Sequence, residues 1–263
     1  MVFRLRRGAL CVLALAVAVA ACGCAGKNVP VDAAPEDVLS AAEGKIASED
    51  WYDAAELLEF FLRNHPGSAL APRAKVLLGD ARFGLEEFVV ARGQYEDVVQ
   101  DFPASAYVEE ARWKIARCSY ALTRPFDRDQ TETEQALKLL QEFRTDYPTS
   151  QFKSDVDAAI ADCRDRLAHR EFEAGRFYAK QHRPRSAKIQ FEYVLGSFSE
   201  TTWARKACFS LGELYRLRGK DAEAAQYFRR VIQDWPDTEE SSRAAESLSQ
   251  LGFAAADSAG VGS

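Results

Sequence analysis

Few residues in this chain could do chemistry, and their spacing argues against catalysis. The three histidines, His65, His169 and His182, fall at or near predicted helix ends or turns and show no metal-ligand spacing. The sequence contains no glycine-rich phosphate loop, no H-E-x-x-H and no G-x-S-x-G. Asp127 and Asp129 flank Arg128, and paired carboxylates can serve as general acid and base. The plainer reading is a structural loop of Asp127, Arg128, Asp129 and Thr131, salt-bridged or capped so that it locks an insertion in place. Lys180, His182, Arg183, Arg185 and Lys188 form a basic cluster around a turn. Such a cluster is either a solvated corner or a docking point for an acidic surface, where opposite charge guides orientation. No metal, cofactor or catalytic residue is expected. With a formal charge of -6, the chain is a poor match for nucleic acid, whose phosphates demand clustered Lys and Arg.

The N-terminus reads as a targeting segment. Arg4, Arg6 and Arg7 precede an apolar run from Ala9 to Ala20, too short to favour a permanent span. The run ends Val19-Ala20-Ala21-Cys22, small residues before a cysteine as in a bacterial lipobox. On that reading the leader, 1–21, is removed and Cys22 is lipidated. An ordinary secretory leader with an incidental cysteine is the alternative, and Cys24 is a poorer acceptor. Gly23 rather than aspartate after Cys22 favours the outer membrane over retention at the inner one. Several acyl chains, each contributing about 0.8 kcal/mol per buried methylene, make a stable anchor. Cys118, Cys163 and Cys208 each sit in a helical apolar pattern, which suggests buried thiols rather than a disulfide framework. A Cys163–Cys208 bridge stays open at this level.

A repeated phrase positions everything else. It reads Asn64-His65-Pro66-Gly67-Ser68, Asp101-Phe102-Pro103-Ala104-Ser105, Asp146-Tyr147-Pro148-Thr149-Ser150 and Asp234-Trp235-Pro236-Asp237-Thr238. A weaker copy is Ser197-Phe198-Ser199-Glu200-Thr201. Proline cannot continue a helix, and the following Ser or Thr is expected to cap the next one. Between the phrases, Leu211-Gly212, Tyr215, Ala224, Phe228 and Val231 follow the tetratricopeptide pattern of small residues at a helix crossing with bulky ones beside them. Gly175, Ala187 and Phe191, or Gly79, Ala91 and Tyr95, repeat it, as do Ala42, Ala54 and Leu58, and Ala116, Ala136 and Leu140. The expected fold is all-α: a tetratricopeptide-repeat α-solenoid of five helical hairpins. A leader (1–21), a tether (22–35), the array (36–252) and a tail (253–263) divide the chain.

The spacing is irregular in two places. Pro66 to Pro103 and Ser199 to Pro236 are 37 residues each, but Pro103 to Pro148 is 45 and Pro148 to Ser199 is 51. The first excess falls at Thr123–Gln130, before a predicted capping box of Thr131 and Glu134. The second is helical: Phe152, Val156, Ala159, Ile160, Cys163 and Leu167 recur at three and four, predicting a long connecting helix between repeats three and four.

With these insertions located, Arg124-Pro125-Phe126-Asp127-Arg128-Asp129-Gln130-Thr131 and Cys163-Arg164-Asp165-Arg166-Leu167-Ala168 resemble the BamD family of outer-membrane assembly lipoproteins. The similarity spans about residues 36 to 252. It implies a non-enzymatic scaffold of the β-barrel assembly machine, lipid-anchored to the outer membrane and facing the periplasm. The implied partners are a BamA-like POTRA/β-barrel protein, other assembly lipoproteins and unfolded outer-membrane proteins. Docking on the POTRA domain would use the C-terminal repeats, and substrate the N-terminal ones. Candidate partner-binding residues are Arg176, Lys180, Arg183, Lys188 and Gln190. Gln190 stands where many family members carry an arginine, so an ion pair there is not carried over. A pilotin-like repeat lipoprotein serving a secretin shares the lipobox and the repeats but would not explain the Asp127–Thr131 insertion, and a periplasmic division-coordination repeat protein is usually soluble with a coiled-coil N-terminus, neither of which is read in this sequence.

Overall fold

The structure, a computed structural model, describes residues 34–253. The leader, Cys22, Cys24 and the tail from residue 254 lie outside the described residues. Among the described residues every regular element is an α-helix. They are α1 (Pro35–Ala47), α2 (Trp51–Asn64), α3 (Ala71–Gly84), α4 (Phe88–Asp101), α5 (Val108–Ala121) and α6 (Thr131–Asp146). Then come α7 (Lys153–Lys180), α8 (Pro184–Ser197), α9 (Thr202–Arg216), α10 (Asp221–Asp234) and α11 (Glu239–Gln250). Each helix packs on the next. The first helices of successive hairpins also meet, as α1 does α3 and as α7 and α11 do α9. This is a tetratricopeptide-repeat α-solenoid of five hairpins closed by α11. The second irregular spacing is accounted for by α7, one uninterrupted helix of 28 residues whose Val156, Ala159, Ile160, Cys163 and Leu167 are all buried.

Close helix crossing explains the small residues. A Cβ on Gly212 would lie 2.5 Å from the Phe228 ring, and one on Gly175 would lie 2.6 Å from Phe191. Gly79 meets Tyr95 in the same way. The first and third hairpins place Ala42 and Ala116 in this register, with Leu58 and Leu140 for the ring, all fully buried. Bulk gained on one helix is matched by bulk lost on the other, as close packing requires.

The turns inside hairpins also share a register. Glu49, Glu86, His182 and Gly219 all adopt positive φ, between 54° and 66°. Only Gly219 is a residue type that takes this conformation without strain. The third hairpin lacks such a residue because the insertion replaces its turn.

The phrase between hairpins works differently from expectation. Its aromatic or imidazole residue (His65, Phe102, Tyr147, Phe198, Trp235) is the C-cap, and its N–H bonds the carbonyl four residues back. Ser68, Ser105 and Ser150 do not cap α3, α5 and α7. Their hydroxyls accept the N–H two residues on, at 3.1 to 3.2 Å, forming a turn that precedes the helix. Thr238 is a side-chain N-cap, accepting from the Ser241 N–H at 3.2 Å. At Thr201 the hydroxyl instead donates to the Phe198 carbonyl.

The Cys163–Cys208 bridge does not form: Cys118, Cys163 and Cys208 are free and buried. Burial pushes each thiol up to about 12, which keeps it protonated and inert.

Candidate partner-binding site

Thr123–Gln130 forms a loop whose lock is Gln130, a residue that no sequence motif singles out. Gln130 is fully buried. Its Nε2 donates to the carbonyls of Pro125 at 2.7 Å and Arg128 at 3.1 Å, and its Oε1 accepts from the Thr133 hydroxyl at 2.9 Å. The expected capping box is absent, because Thr131 is already the first helical residue of α6. Asp129 does the capping instead, its Oδ1 accepting from the Thr131 N–H at 3.1 Å and hydroxyl at 2.8 Å. Those hydrogen bonds hold the Asp129 carboxyl below its ordinary range, as an ionised acceptor rather than a proton donor. Asp127 and Arg128 are exposed, and among the described residues neither side chain is in an ion pair. Of the salt-bridged and capped alternatives the loop shows the capped one, with Gln130 as its buried centre.

The loop and α7 meet in one junction. Phe126 stacks on His169 with centroids 3.4 Å apart, and His169 stacks on Trp203 of α9 at 3.7 Å. Desolvation lowers the His169 pKa, which favours the neutral ring inside the stack. The neighbouring residues of α7 then grip opposite sides. Arg166 donates to the Thr123 hydroxyl at 2.9 Å, and Asp162 accepts from the Tyr120 hydroxyl at 2.9 Å, both toward α5. Asp165 accepts from Trp203 Nε1 at 3.1 Å, toward α9. Arg164 pairs with Glu200 and donates to the Ser197 carbonyl at 2.6 Å. That carbonyl ends α8 beside Ser199, where the phrase has lost its proline. An arginine from α7 thus braces the one weakened turn.

The candidate basic residues are not brought together. Arg176 and Lys180 line a cavity of about 640 Å³ between α7, α9 and α11. Arg183 is the N-cap residue of α8. Lys188 lies 3.4 Å from Glu192, and its ammonium is held above its ordinary pKa by the Tyr215 hydroxyl and that carboxylate. Gln190 is half-buried on α8, away from the cavity. Beside it are two apolar residues that belong to no motif: Ile189 is 64% exposed and Tyr193 is 50% exposed, one turn apart. Their sequence signal is an i, i+4 pair off the buried Ala187–Phe191–Val194 stripe. No cluster of three or more metal-ligating side chains occurs among the described residues, and none of their helices is long and apolar enough to cross a membrane.

Residues 31–231 match the family YfiO, described as outer membrane lipoprotein. The chain belongs to this family. Two relatives are outer membrane protein assembly factors BamD. That of Caulobacter vibrioides is 27% identical over 83% of this chain and 73% of its own. That of Rickettsia prowazekii is 25% identical over 70% of this chain and 74% of its own. Among solved structures, a TPR repeats protein from Bacteroides fragilis overlays 83% of this chain and 98% of its own, with 10% identity and a TM-score of 0.46. For the thermophilic TPR protein of Thermus thermophilus the shares are 82% and 99%, the identity 20% and the TM-score 0.37. The family match takes in the insertion loop, α7 and α8, so the junction lies inside it, whereas the α11 side of the cavity lies beyond it.

Proposed function

We propose that this chain is a non-catalytic lipoprotein scaffold of the outer-membrane β-barrel assembly complex. The observation that carries the reading is the family match over residues 31–231, with relatives that are assembly factors along most of both chains. In this reading the leader, 1–21, is removed, Cys22 carries lipid, and residues 22–35 tether the array to the inner leaflet of the outer membrane. The tail, 253–263, follows the array, although its first residue, Phe253, still packs on the C-terminal core.

The C-terminal repeats dock on a POTRA domain of a BamA-like barrel protein through the outer face of α8. Ile189 and Tyr193 supply exposed apolar area beside Gln190, and Arg183 and Lys188 supply charge at its edge. An uncharged Gln190 makes docking here depend on apolar burial more than on an ion pair. The N-terminal repeats receive unfolded outer-membrane proteins, and other assembly lipoproteins join on remaining surfaces. Repeat arrays offer long surfaces suited to extended chains.

A crosslinked pull-down from membranes tests the core of this. Recovery of a POTRA-containing barrel protein, reduced by Ile189→Asp together with Tyr193→Asp, is the expected result. Recovery of a secretin alone would replace the reading with a pilotin role. Cys22→Ser should release the protein from membranes into the soluble periplasm; unchanged membrane extraction would refute lipidation at that residue.

A further inference from the structure

The cavity between α7, α9 and α11 holds Arg176 and Lys180, two candidate partner-binding residues that the docking face of α8 leaves unused. Its floor is aromatic and aliphatic: Phe172, Phe191, Phe209 and Leu214, with Trp203 at one side. Leu217 stands at its edge and is 76% exposed, which adds accessible apolar area to a floor whose own residues are largely buried. A volume of about 640 Å³ lies in the range of ligand pockets.

Charge chooses among occupants. Each carboxylate of the lining faces a cation: Glu173 faces Arg176 at 2.8 Å, Glu213 faces Arg216 at 2.6 Å, and Glu240 faces Arg205 at 2.9 Å. Glu239 lies 3.8 Å from Arg243. Lys180 and Lys206 are different. Among the described residues neither has a carboxylate within 4.0 Å, and Lys206 sits 4.3 Å above the Trp203 ring. Two uncompensated ammonium groups therefore border an apolar floor, in a chain of net charge -6. A nucleic acid would meet the surrounding acidic surface. A purely apolar segment would leave both ammonium groups without a counter-charge.

We propose that this cavity binds a short extended peptide segment in which large apolar side chains alternate with carboxylates. The apolar side chains enter the floor of Phe172, Phe209 and Leu214. The carboxylates reach Lys180 and Lys206. The site is separate from the outer face of α8, so it can fail while the POTRA docking holds, and the reverse.

Fluorescence anisotropy on the full chain, solubilised in detergent, tests it. The probes are a labelled peptide alternating Asp with Phe and its counterpart alternating Lys with Phe. The acidic peptide should bind, weaken with added salt, and lose about tenfold or more in affinity in the Lys180→Glu, Lys206→Glu double variant. Leu217→Asp, at an exposed position that does not endanger folding, should weaken it too. Equal binding of the two peptides, no binding of either, or full affinity in the charge-reversed variant with unchanged circular dichroism would each overturn the proposal.

Discussion

Two junctions in this array hold neighbouring hairpins together by different chemistry. Between the second and third hairpins the link is a charged network. Lys114, almost buried on α5, donates to Asp80 on α3 at 2.7 Å and pairs with Glu110 at 2.6 Å, while the Tyr95 hydroxyl donates to Asp80 at 2.8 Å. The partners Asp80 and Lys114 are 34 residues apart, and Arg205 and Glu240 on α9 and α11 form a similar link 35 apart. Links of this type recur near the repeat period because they join equivalent helices of neighbouring units. The junction around α7 keeps that period only toward α9, where its links span 36 and 38 residues; toward α5 they span 42 and 43, because the insertion displaces them. It relies instead on one helix gripping both sides, on stacked rings, and on side chains that bind main-chain carbonyls. The regular junction depends on local repetition; the irregular one depends on three distant segments meeting at once.

The sharpest way to break the comparison is Gln130→Glu. The change keeps shape but turns the buried amide donor into a carboxylate facing the Pro125 and Arg128 carbonyls. A loss of about 3 kcal/mol is expected in urea unfolding. Near-parental stability would mean that the loop is not held by this residue. Lys114→Met should cost less, about 1–2 kcal/mol, because Asp80 and Glu110 are partly open to water and can be resolvated. Its effect on hydrogen exchange should stay within α3 to α5. If exchange in α8 and α9 rose as well, the two junctions would not be independent. Arg164→Ala is expected to cost about 1 kcal/mol, with faster exchange at the Ser197–Thr201 turn and little change near α3.

The smallest effect separates the junctions by pH. Above the ordinary histidine pKa of 6.5, His169 is neutral whether the chain is folded or unfolded. As pH falls below that value the unfolded chain takes up the proton first, because burial lowers the folded pKa. Stability is therefore lost on acidification until the folded ring is protonated too. Asp165 and Glu173 oppose the shift, while Lys206 and Arg176 add to it. His169→Phe should lose less melting temperature than the parent chain between pH 7 and pH 5. An identical pH profile in both proteins would show that the stack carries no proton linkage.

The hairpins, their glycine and alanine crossings and the α7 stripe are legible in the residues alone, because residue size and helical period are local properties. The insertion loop is legible as a departure in spacing, but its mechanism is not. Gln130 looks like any polar residue in a polar loop, and only the fold shows it buried among carbonyls. The Ser and Thr of the phrase suggest helix caps, yet four of the five make other hydrogen bonds: one extra turn separates the three serines from the helix, and the Thr201 hydroxyl turns back to the Phe198 carbonyl. The i, i+4 pair of Ile189 and Tyr193 is present in the sequence but easily missed, since a helix with a complete buried stripe already looks accounted for.

By itself the sequence determined an all-helical repeat array, the register of five hairpins and the two places where the register slips. These depend on short-range sterics: proline at helix ends, and small residues where helices cross. The tertiary structure alone decided what the slips are for. It brought Phe126, His169 and Trp203 into one stack, although residues 126 and 203 belong to different hairpins. It also set two lysines, Lys180 and Lys206, on the rim of one cavity with an apolar floor, neither within 4.0 Å of a carboxylate among the described residues. Such relations depend on which surfaces close packing brings together, and no spacing along the chain encodes them directly.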